Sequence, residues 1–270
     1  MNELLLSEIN SERIDLLQMI GLIEQELFSQ EENKTLIDLS QINELITFCQ
    51  LEIEDTSDAL ERAEKLIELL FIDNLFLDIT RDSWSVNSHC LEHALNYRCF
   101  APALKCLLII HIIRCCGFEI NAVYVPDEVM LRIICDDDYA IIFDVLTGCP
   151  INWLELDQRI NNLDDNEEEP SLAAIDDKKL IVQYLVSLKT SLIREGQFTL
   201  ALKCVDLILA LNPDDPYHRR DRGFLLQQLD CYKVAFDDYR YFVERCPKDP
   251  AAKLLQQQLD MISHIETKFH

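Results

Sequence analysis

Two stretches of the sequence, FTLALKCVDLILALNPDDP (Phe198–Pro216) and YKVAFDDYRYFVERCPKDP (Tyr232–Pro250), align with each other at a constant step, the one that leads from Phe198 to Tyr232. Aromatic, small, proline and acidic residues return at this step, in the pairs Phe198/Tyr232, Ala201/Ala235, Pro213/Pro247 and Asp215/Asp249. A repeat of this length indicates a supersecondary unit that buries its apolar face only by stacking on a neighbour. The C-terminal part of the chain is therefore predicted to be a helical repeat array.

The step matches the period of about 34 residues that is typical of tetratricopeptide repeats, in which each repeat is a helix–turn–helix. Apolar periodicity predicts two helix pairs and a capping helix, at Leu180–Arg194, Gln197–Leu211, Tyr217–Leu229, Tyr232–Arg245 and Ala251–Thr267. Arrays of this kind present extended binding surfaces. We therefore expect this part of the chain to bind a protein partner.

The formal charge of −25 is confined to the N-terminal part of the chain. Residues 171–270 hold 14 basic and 14 acidic residues, which leaves 10 basic and 35 acidic residues in 1–170. An acidic surface repels nucleic-acid phosphate and favours a basic protein partner. Surface acids can equally serve solubility alone. We expect no nucleic-acid partner, and both roles of the acids stay open.

The eleven cysteines are interpreted as reduced thiols of a cytoplasmic protein. Their number is odd, and the N-terminal sequence MNELLLSEINSERID has acids where a secretion signal needs basic residues. The longest apolar run, Cys106–Ile113, is much shorter than the ~20 residues of a membrane-spanning helix. We therefore expect a cytoplasmic location and no membrane segment.

The N-terminal part is predicted to combine helices with a small antiparallel sheet. Helical spacing covers 4–28, 36–53, Thr56–Phe71 with Thr56 or Ser57 as cap, Cys90–Asn96, and Pro102–Cys116 ended by Gly117. Three short β-branched segments follow, at 120–125, 129–135 and 139–146, separated by Pro126–Asp127 and by the acidic tip Asp136–Asp138. The predicted domains are an acidic α+β domain (1–160), an acidic linker (161–179) and an all-α tetratricopeptide domain with two repeats and a cap (180–270).

The strings NPDDPYHRRDRG (Asn212–Gly223) and LDCYKVAFDDYRYFVERCPKDP (Leu229–Pro250), with the helix and meander upstream, resemble the bacterial SirB family, first member. Chains of that family join a transglutaminase-like domain to tetratricopeptide repeats. The resemblance covers roughly residues 35–265. It implies an N-terminal fold similar to cysteine-protease-like transglutaminases, which use a thiol at a helix start, a histidine on the next strand and an acid on the strand after it.

The residues at these positions predict that the chemistry is lost. Arg98 and Pro102 match the helix-start motif, whereas Leu104 stands at the nucleophile position and Glu128 at the histidine position. Asp144 matches the acid. The sequence has no histidine between residues 112 and 217, so no other base is available on the meander. We therefore expect a pseudoenzyme without catalytic residues or cofactor.

Two further groups of polar residues were weighed as sites. Arg98, Glu128, Arg132 and Asp144 are expected to converge around the former cleft as an ion-pair network, with a retained small-ligand pocket as the alternative. His89, Cys90 and His93 are close enough in sequence to suggest a metal, but the sequence supplies no further ligands. The charged set is therefore the predicted relic site, and no metal is expected.

A basic cluster marks the start of a repeat helix and consists of His218, Arg219, Arg220 and Arg222. Basic residues are unfavourable at a helix N-terminus unless acids match them. The cluster is either paired with nearby acids, among them Asp214, Asp215 and Asp221, or free to recognise an acidic peptide.

The sequence favours a non-catalytic cytosolic adaptor or regulatory protein that binds an unknown protein partner through its repeats. Two alternatives stay open. The first is a residual acyl-transfer or amidase enzyme that uses Cys99 with Asp144 or Glu128. The second is a homo-oligomeric structural protein, because the sequence does not determine the oligomeric state.

Overall fold

The structure of the protein is a computed structural model that describes residues 3–9, 11, 14–28, 39–74, 76–125, 128–137, 139–161 and 172–268. The chain divides into two compact units, Met1–Tyr184 and Leu185–His270. The first unit mixes helices with a sheet, whereas the described residues of the second are helical, which confirms the predicted fold class. None of the described helices combines the length and apolar character that crossing a bilayer requires.

Six helices precede the sheet, namely α1 (Glu3–Ile9), α2 (Leu16–Phe28), α3 (Ser40–Glu54), α4 (Ala59–Glu68), α5 (Leu91–Tyr97) and α6 (Pro102–Cys115). A π-helical turn, Leu69–Asp73, continues α4, and a 3-10 turn, Val86–His89, precedes α5. The helical run predicted over 4–28 is divided, because Asp15 accepts hydrogen bonds from the N–H groups of Leu17 and Gln18 at 3.0 Å and so caps a new helix.

The start of α4 also differs from the prediction. Asp58, rather than Thr56 or Ser57, is the N-cap, and its carboxylate accepts from the Glu61 N–H at 2.9 Å. All three residue types cap well, so the sequence alone did not distinguish them.

The sheet has four antiparallel strands in the order β3-β2-β1-β4, with β1 at Glu119–Val125, β2 at Glu128–Ile134, β3 at Ala140–Asp144 and β4 at Ala174–Ile175. The three-strand meander is as predicted. Strand β4 was assigned to the linker, because a two-residue strand leaves no readable pattern. The tip residues Asp136 and Asp137 join β2 to β3, whereas Pro126, Asp127, Asp138 and linker residues 162–171 lie outside the described residues.

Helix α6 is the buried centre of the first unit. Its residues from Leu104 to Ile110, together with Ile112 and Ile113, are at most 5% exposed. A helix that is apolar on all sides is stable only when it is surrounded. A further helix, α7 (Trp153–Asn161), was not predicted, and its Leu156 packs on the sheet residues Val123, Val125, Met130 and Ile142.

The repeat helices are α8 (Asp177–Arg194), α9 (Phe198–Leu211), α10 (Pro216–Gln228), α11 (Tyr232–Arg245) and α12 (Pro250–Lys268). Asp215 caps α10 by accepting from the N–H groups of Tyr217 and His218 at 2.8 and 3.0 Å. Gly223 brings α10 close to α11, since a Cβ there would lie 2.7 Å from the Tyr239 ring. Asp249 accepts from the Ala251 N–H at 2.8 Å at the start of α12, so the recurring aspartate caps a helix in both repeats.

A buried carboxylate connects α10 to α11. Asp238 on α11 is 2% exposed, and its two oxygens accept from Arg222 Nε at 2.6 Å and Arg222 Nη2 at 2.7 Å. Arg219 Nη1 lies 3.4 Å from the same carboxylate. The two arginines compensate for the desolvation of this acid. Removing the acid or Arg222 alone therefore leaves an uncompensated charge.

Asp238→Ala is expected to destabilise the second unit by about 3 kcal/mol, because it leaves Arg222 without its buried partner. The neighbouring Asp237→Ala is the matched control. Asp237 pairs with Arg240 at 3.2 Å, but both side chains are more than 60% exposed, so a loss of at most about 0.5 kcal/mol is expected. Hydrogen exchange of the α10 and α11 amides in the full chain measures both changes, and equal exchange in the two variants would contradict this role of Asp238.

Candidate functional site

Leu104, at the position predicted for the nucleophile, is part of the core. Helix α6 begins at Pro102, so Leu104 lies in its first turn, where the helix N-terminus would stabilise a thiolate. Leu104 is 0% exposed and carries no ionisable group. This position therefore contributes packing and supplies no nucleophile.

Glu128, at the predicted histidine position, and Asp144, at the predicted acid position, have structural partners. Glu128, at the start of β2, forms an ion pair with Arg159 on α7, which also binds Glu155 at 2.7 Å. Asp144, at the end of β3, accepts through one oxygen from Leu146 N at 3.1 Å and from the N–H and hydroxyl of Thr147 at 2.7 Å. Glu128 therefore anchors α7, and Asp144 fixes the turn that follows β3.

The four charged residues expected to converge have separate partners. Arg98 has a left-handed backbone, its guanidinium lies 5.5 Å from the centre of the Phe76 ring, and burial lowers its pKa. Arg132 Nη1 donates to the Leu172 carbonyl at 3.2 Å. Among the described residues, no ion pair joins any two members of this set, so the expected shared network differs from the structure. Glu128 is paired with Arg159, and Asp144 binds its own turn. Arg132 Nε is buried without a hydrogen-bond partner among the described residues.

The structure shows one functional group that the sequence reasoning missed. Lys105, next to Leu104, is 0% exposed, and its Nζ donates to the Leu146 carbonyl at 2.7 Å. The Phe71 ring centre lies 5.0 Å from the same nitrogen. Burial lowers the pKa of Lys105 to about 8, although Asp78 and Asp144 act in the opposite direction. The sequence signal that could have identified Lys105 is a lysine inside an otherwise apolar helix.

The Leu146 carbonyl is the common acceptor of this region. It also accepts from the Asp78 N–H at 2.9 Å, so the segment before α5 and helix α6 meet at the turn after β3. The Phe71 ring lies against Gly148 of that turn, where a side chain would not fit. The relic region is therefore a filled structural junction.

Cys99 is the thiol of the residual-enzyme alternative, and the Arg81 guanidinium interacts with it electrostatically. Its sulfur lies 3.5 Å from Ser88 Oγ, which is 3.0 Å from Ser85 Oγ. Within the described residues, no histidine or carboxylate forms a hydrogen bond with Cys99. The nearby His89 is fully buried, and its Nδ1 contacts the Ser85 carbonyl at 2.9 Å. In the part of the chain that the structure describes, neither a histidine base nor an orienting acid is therefore hydrogen-bonded to this thiol.

The histidine and cysteine side chains considered as metal ligands or nucleophiles are engaged in packing. His93 stacks on Tyr97 with ring centres 4.4 Å apart, and across the described ranges no three metal-ligating side chains come together. All eleven cysteines are free. Burial raises the pKa of Cys49 to about 11 and that of Cys106 and Cys116 to about 12, so these thiols are inert.

The basic cluster of α10 is largely paired internally. Arg222 and Arg219 bind Asp238, and Arg220 binds Asp221 at 2.9 Å. Burial lowers the pKa of His218, which favours its neutral form. Of the two interpretations of the cluster, the structure favours pairing, because the fold brings acids of α10 and α11 into contact with the arginines.

Four helices of the second unit line a groove of about 510 Å³. Its residues are Lys189, Thr190 and Ile193 on α8, Arg220, Asp221 and Phe224 on α10, Tyr239 on α11, and Ala251, Leu254, Leu255 and Gln258 on α12. Phe224 and Leu254 are 41% and 64% exposed, although both are large and apolar. Sequence periodicity had assigned them to helices but gave no reason to place them together.

The charges in this groove compensate each other. Lys189 is almost buried and donates to Asp221 at 2.5 Å, while Arg220 binds the other oxygen of Asp221. Burial alone would raise the pKa of Asp221, but the bonds from Lys189 and Arg220 outweigh burial and lower it. The free surface of the groove is therefore mainly apolar.

A buried helix followed by a small antiparallel sheet, joined to helix pairs that recur at a constant step, defines a transglutaminase-like domain with tetratricopeptide repeats. The model of the transglutaminase-like superfamily matches residues 38–185, and that of the tetratricopeptide repeat matches residues 188–260. The chain belongs to the transglutaminase-like superfamily and, within it, to the family of the SirB1 and UPF0162 proteins.

The relatives in this family match most of the chain. A Vibrio cholerae protein named UPF0162 protein is 30% identical over 227 residues, which cover 83% of this chain and 84% of the relative. UPF0162 protein YchA of Escherichia coli (strain K12) is 30% identical over 234 residues, covering 85% and 87%. Protein SirB1 of Salmonella typhimurium is 28% identical over 233 residues, with the same coverage. The expected SirB family membership is thus confirmed.

Lys105 gives a specific pH dependence of stability. Burial lowers its pKa from 10.5 in the unfolded chain to about 8, so the folded protein binds this proton less tightly. The resulting destabilisation is complete below pH 8 and disappears as the pH rises from about 8 to 10.5. The free energy of unfolding of Lys105→Met, relative to that of the native protein, should therefore be higher at pH 7 than at pH 10.

Urea unfolding of the native protein and of Lys105→Met, at several pH values from 7 to 10, measures this difference. Lys179→Met, at an exposed lysine of α8, is the control and should show no such trend. A difference between Lys105→Met and the native protein that stays constant across this range would contradict a buried ammonium group at Lys105.

Proposed function

We propose that the protein is a non-catalytic cytoplasmic adaptor whose repeat unit binds an apolar segment of a partner protein. The observation that carries the proposal is the groove lined by α8, α10, α11 and α12, with Phe224 and Leu254 exposed on its surface. Large apolar side chains in a groove provide the anchor contacts from which most binding energy in protein interfaces comes. The class of repeat supports a protein rather than a small molecule as the ligand.

The polar groups of the groove support specificity for an apolar segment. Lys189 and Arg220 already share Asp221, so an acidic peptide would have to displace an internal carboxylate. An apolar segment needs no such exchange and gains from covering Phe224 and Leu254. The Gln258 side chain lines the groove and can bond the polar atoms of a bound backbone. The Thr190 hydroxyl donates to the Val186 carbonyl at 2.8 Å, so towards a ligand it can act as an acceptor.

The first unit supports the non-catalytic part of the proposal. Leu104 replaces a nucleophile inside the core, Glu128 is paired with Arg159, and Asp144 holds its own turn. Acyl transfer needs a thiolate, a base and an orienting acid in contact with each other. The free state of all eleven cysteines agrees with a reducing compartment, which supports the cytoplasm.

Photo-crosslinking in a bacterial lysate tests the adaptor proposal. We expect p-benzoylphenylalanine in place of Phe224 to yield one discrete crosslinked partner protein. The same group in place of Val234, which is 50% exposed on α11 but does not line the groove, should yield none. The added substitution Leu254→Asp should abolish the crosslink from position 224 without unfolding the chain, because Leu254 is already exposed to solvent.

Two results would overturn the proposal. A crosslink from position 224 to a second copy of the chain would support the homo-oligomer alternative. An acyl adduct on Cys99, detected by mass spectrometry after exposure to the lysate, would support the residual enzyme.

A further inference from the structure

Strand β3 is an edge of the sheet, and only part of that edge is covered. The hydrogen bond from Cys135 N to the Tyr139 carbonyl sets the alternation, so residues 139, 141 and 143 bond to β2 and residues 140, 142 and 144 face outward. Residues 149–151 cover the half of the edge at Asp144, since Asp144 N donates to Cys149 O at 3.0 Å and Ile151 N donates to Ile142 O at 2.8 Å.

The half of the edge at Ala140 is open. Among the described residues, neither the N–H nor the carbonyl of Ala140 has a backbone partner, and the Ile142 N–H has none. Unpaired edge groups of this kind are a template for another extended chain. Three backbone groups in register can therefore accept an added strand beside β3.

An apolar groove of about 460 Å³ runs along this open edge. Its other wall is formed by Ile67 of α4 and Ile72 of the π-helical turn, and Pro150 and Trp153 close one end. Ile72 and Trp153 are 60% and 69% exposed. The groove thus places apolar side-chain contacts next to unpaired backbone groups, the combination on which strand addition depends.

The charge around the groove is acidic. Glu64 and Glu68 line it one helical turn apart, both are exposed, and no described basic side chain forms an ion pair with either. Burial is the largest cause of the raised pKa of the Cys135 thiol, and the carboxylates of Asp136, Glu64 and Asp58 raise it further. Cys135 lies in the turn between β2 and β3, so these acids act on the start of β3. Like charges at this spacing repel each other, so a cationic ligand relieves an existing cost.

We propose that this groove, called the β3 groove, binds an extended segment of a partner protein that alternates apolar and basic residues. The segment pairs with Ala140 and Ile142, packs its apolar side chains on Ile72 and Trp153, and directs Lys or Arg side chains to Glu64 and Glu68. A second copy of the chain fits less well, since its own edge carries the same carboxylates. The β3 groove gives the adaptor a docking surface that does not involve its repeats.

A defined peptide tests the proposal on the full chain. The probe is a fluorescent hexapeptide of alternating lysine and isoleucine, and its control alternates glutamate and isoleucine. Fluorescence anisotropy at about 150 mM salt, where exposed charges still act over short distances, should show binding of the lysine peptide alone. Glu64→Lys with Glu68→Lys should weaken it by about tenfold or more, the loss of about 1.4 kcal/mol that two rim charges supply. The matched control, Glu44→Lys with Glu92→Lys, changes the same charge at acids that do not line the groove and should weaken binding less than about twofold.

Two measurements address the backbone pairing. Ala140→Pro removes an outward N–H that β2 does not use, so it should preserve the fold and abolish binding. In the native protein, the amides of Ala140 and Ile142 should exchange more slowly when the lysine peptide is present. Equal weakening by both charge variants, or unchanged exchange of these two amides, would overturn the proposal. Protection of the same amides on concentrating the protein alone would also overturn it in favour of a second copy.

Discussion

Helix α6 must be covered on every side, and the arrangement of the first unit follows from that requirement. Its apolar residues leave no solvated face, so the sheet and the N-terminal helices surround it. Any polar group on this helix has to find a partner inside the fold. Lys105 does so through the Leu146 carbonyl, and this contact fixes the turn after β3 against α6. The same enclosure makes position 104 inaccessible to a substrate.

The residues at the predicted former site have structural roles. Catalysis in such a fold requires polar groups that face one another across a cleft. Here Glu128 instead anchors α7, Asp144 holds a turn, and Arg98 lies over an aromatic ring. Among the described residues, these groups therefore contact other partners and not one another. The repeat groove and the β3 groove are both apolar and lie in different units, which suits a protein that connects partners.

The parts of the fold that the sequence predicted are those with a long or regular signal. The constant step between Phe198 and Tyr232 predicted the helices of the second unit, and β-branched segments predicted β1 to β3. Strand β4 and helix α7 were missed, because two residues carry no period and Trp153–Asn161 has polar residues on most positions. The assignment of Leu104, Glu128 and Asp144 to a former catalytic site stays a prediction from the family resemblance. The partner of Glu128 was not predicted, since Arg159 is brought near it only by tertiary packing.

The burial of position 104, the predicted nucleophile position, can be measured directly by alkylation of Leu104→Cys in the folded protein. Peptide mass spectrometry would follow the new thiol beside buried Cys106 and exposed Cys149 in the same chain. The account predicts that the thiol at position 104 reacts as slowly as Cys106, because the first turn of α6 is enclosed. Alkylation at least as fast as that of Cys149 would show an open and reactive cleft, and would contradict the account.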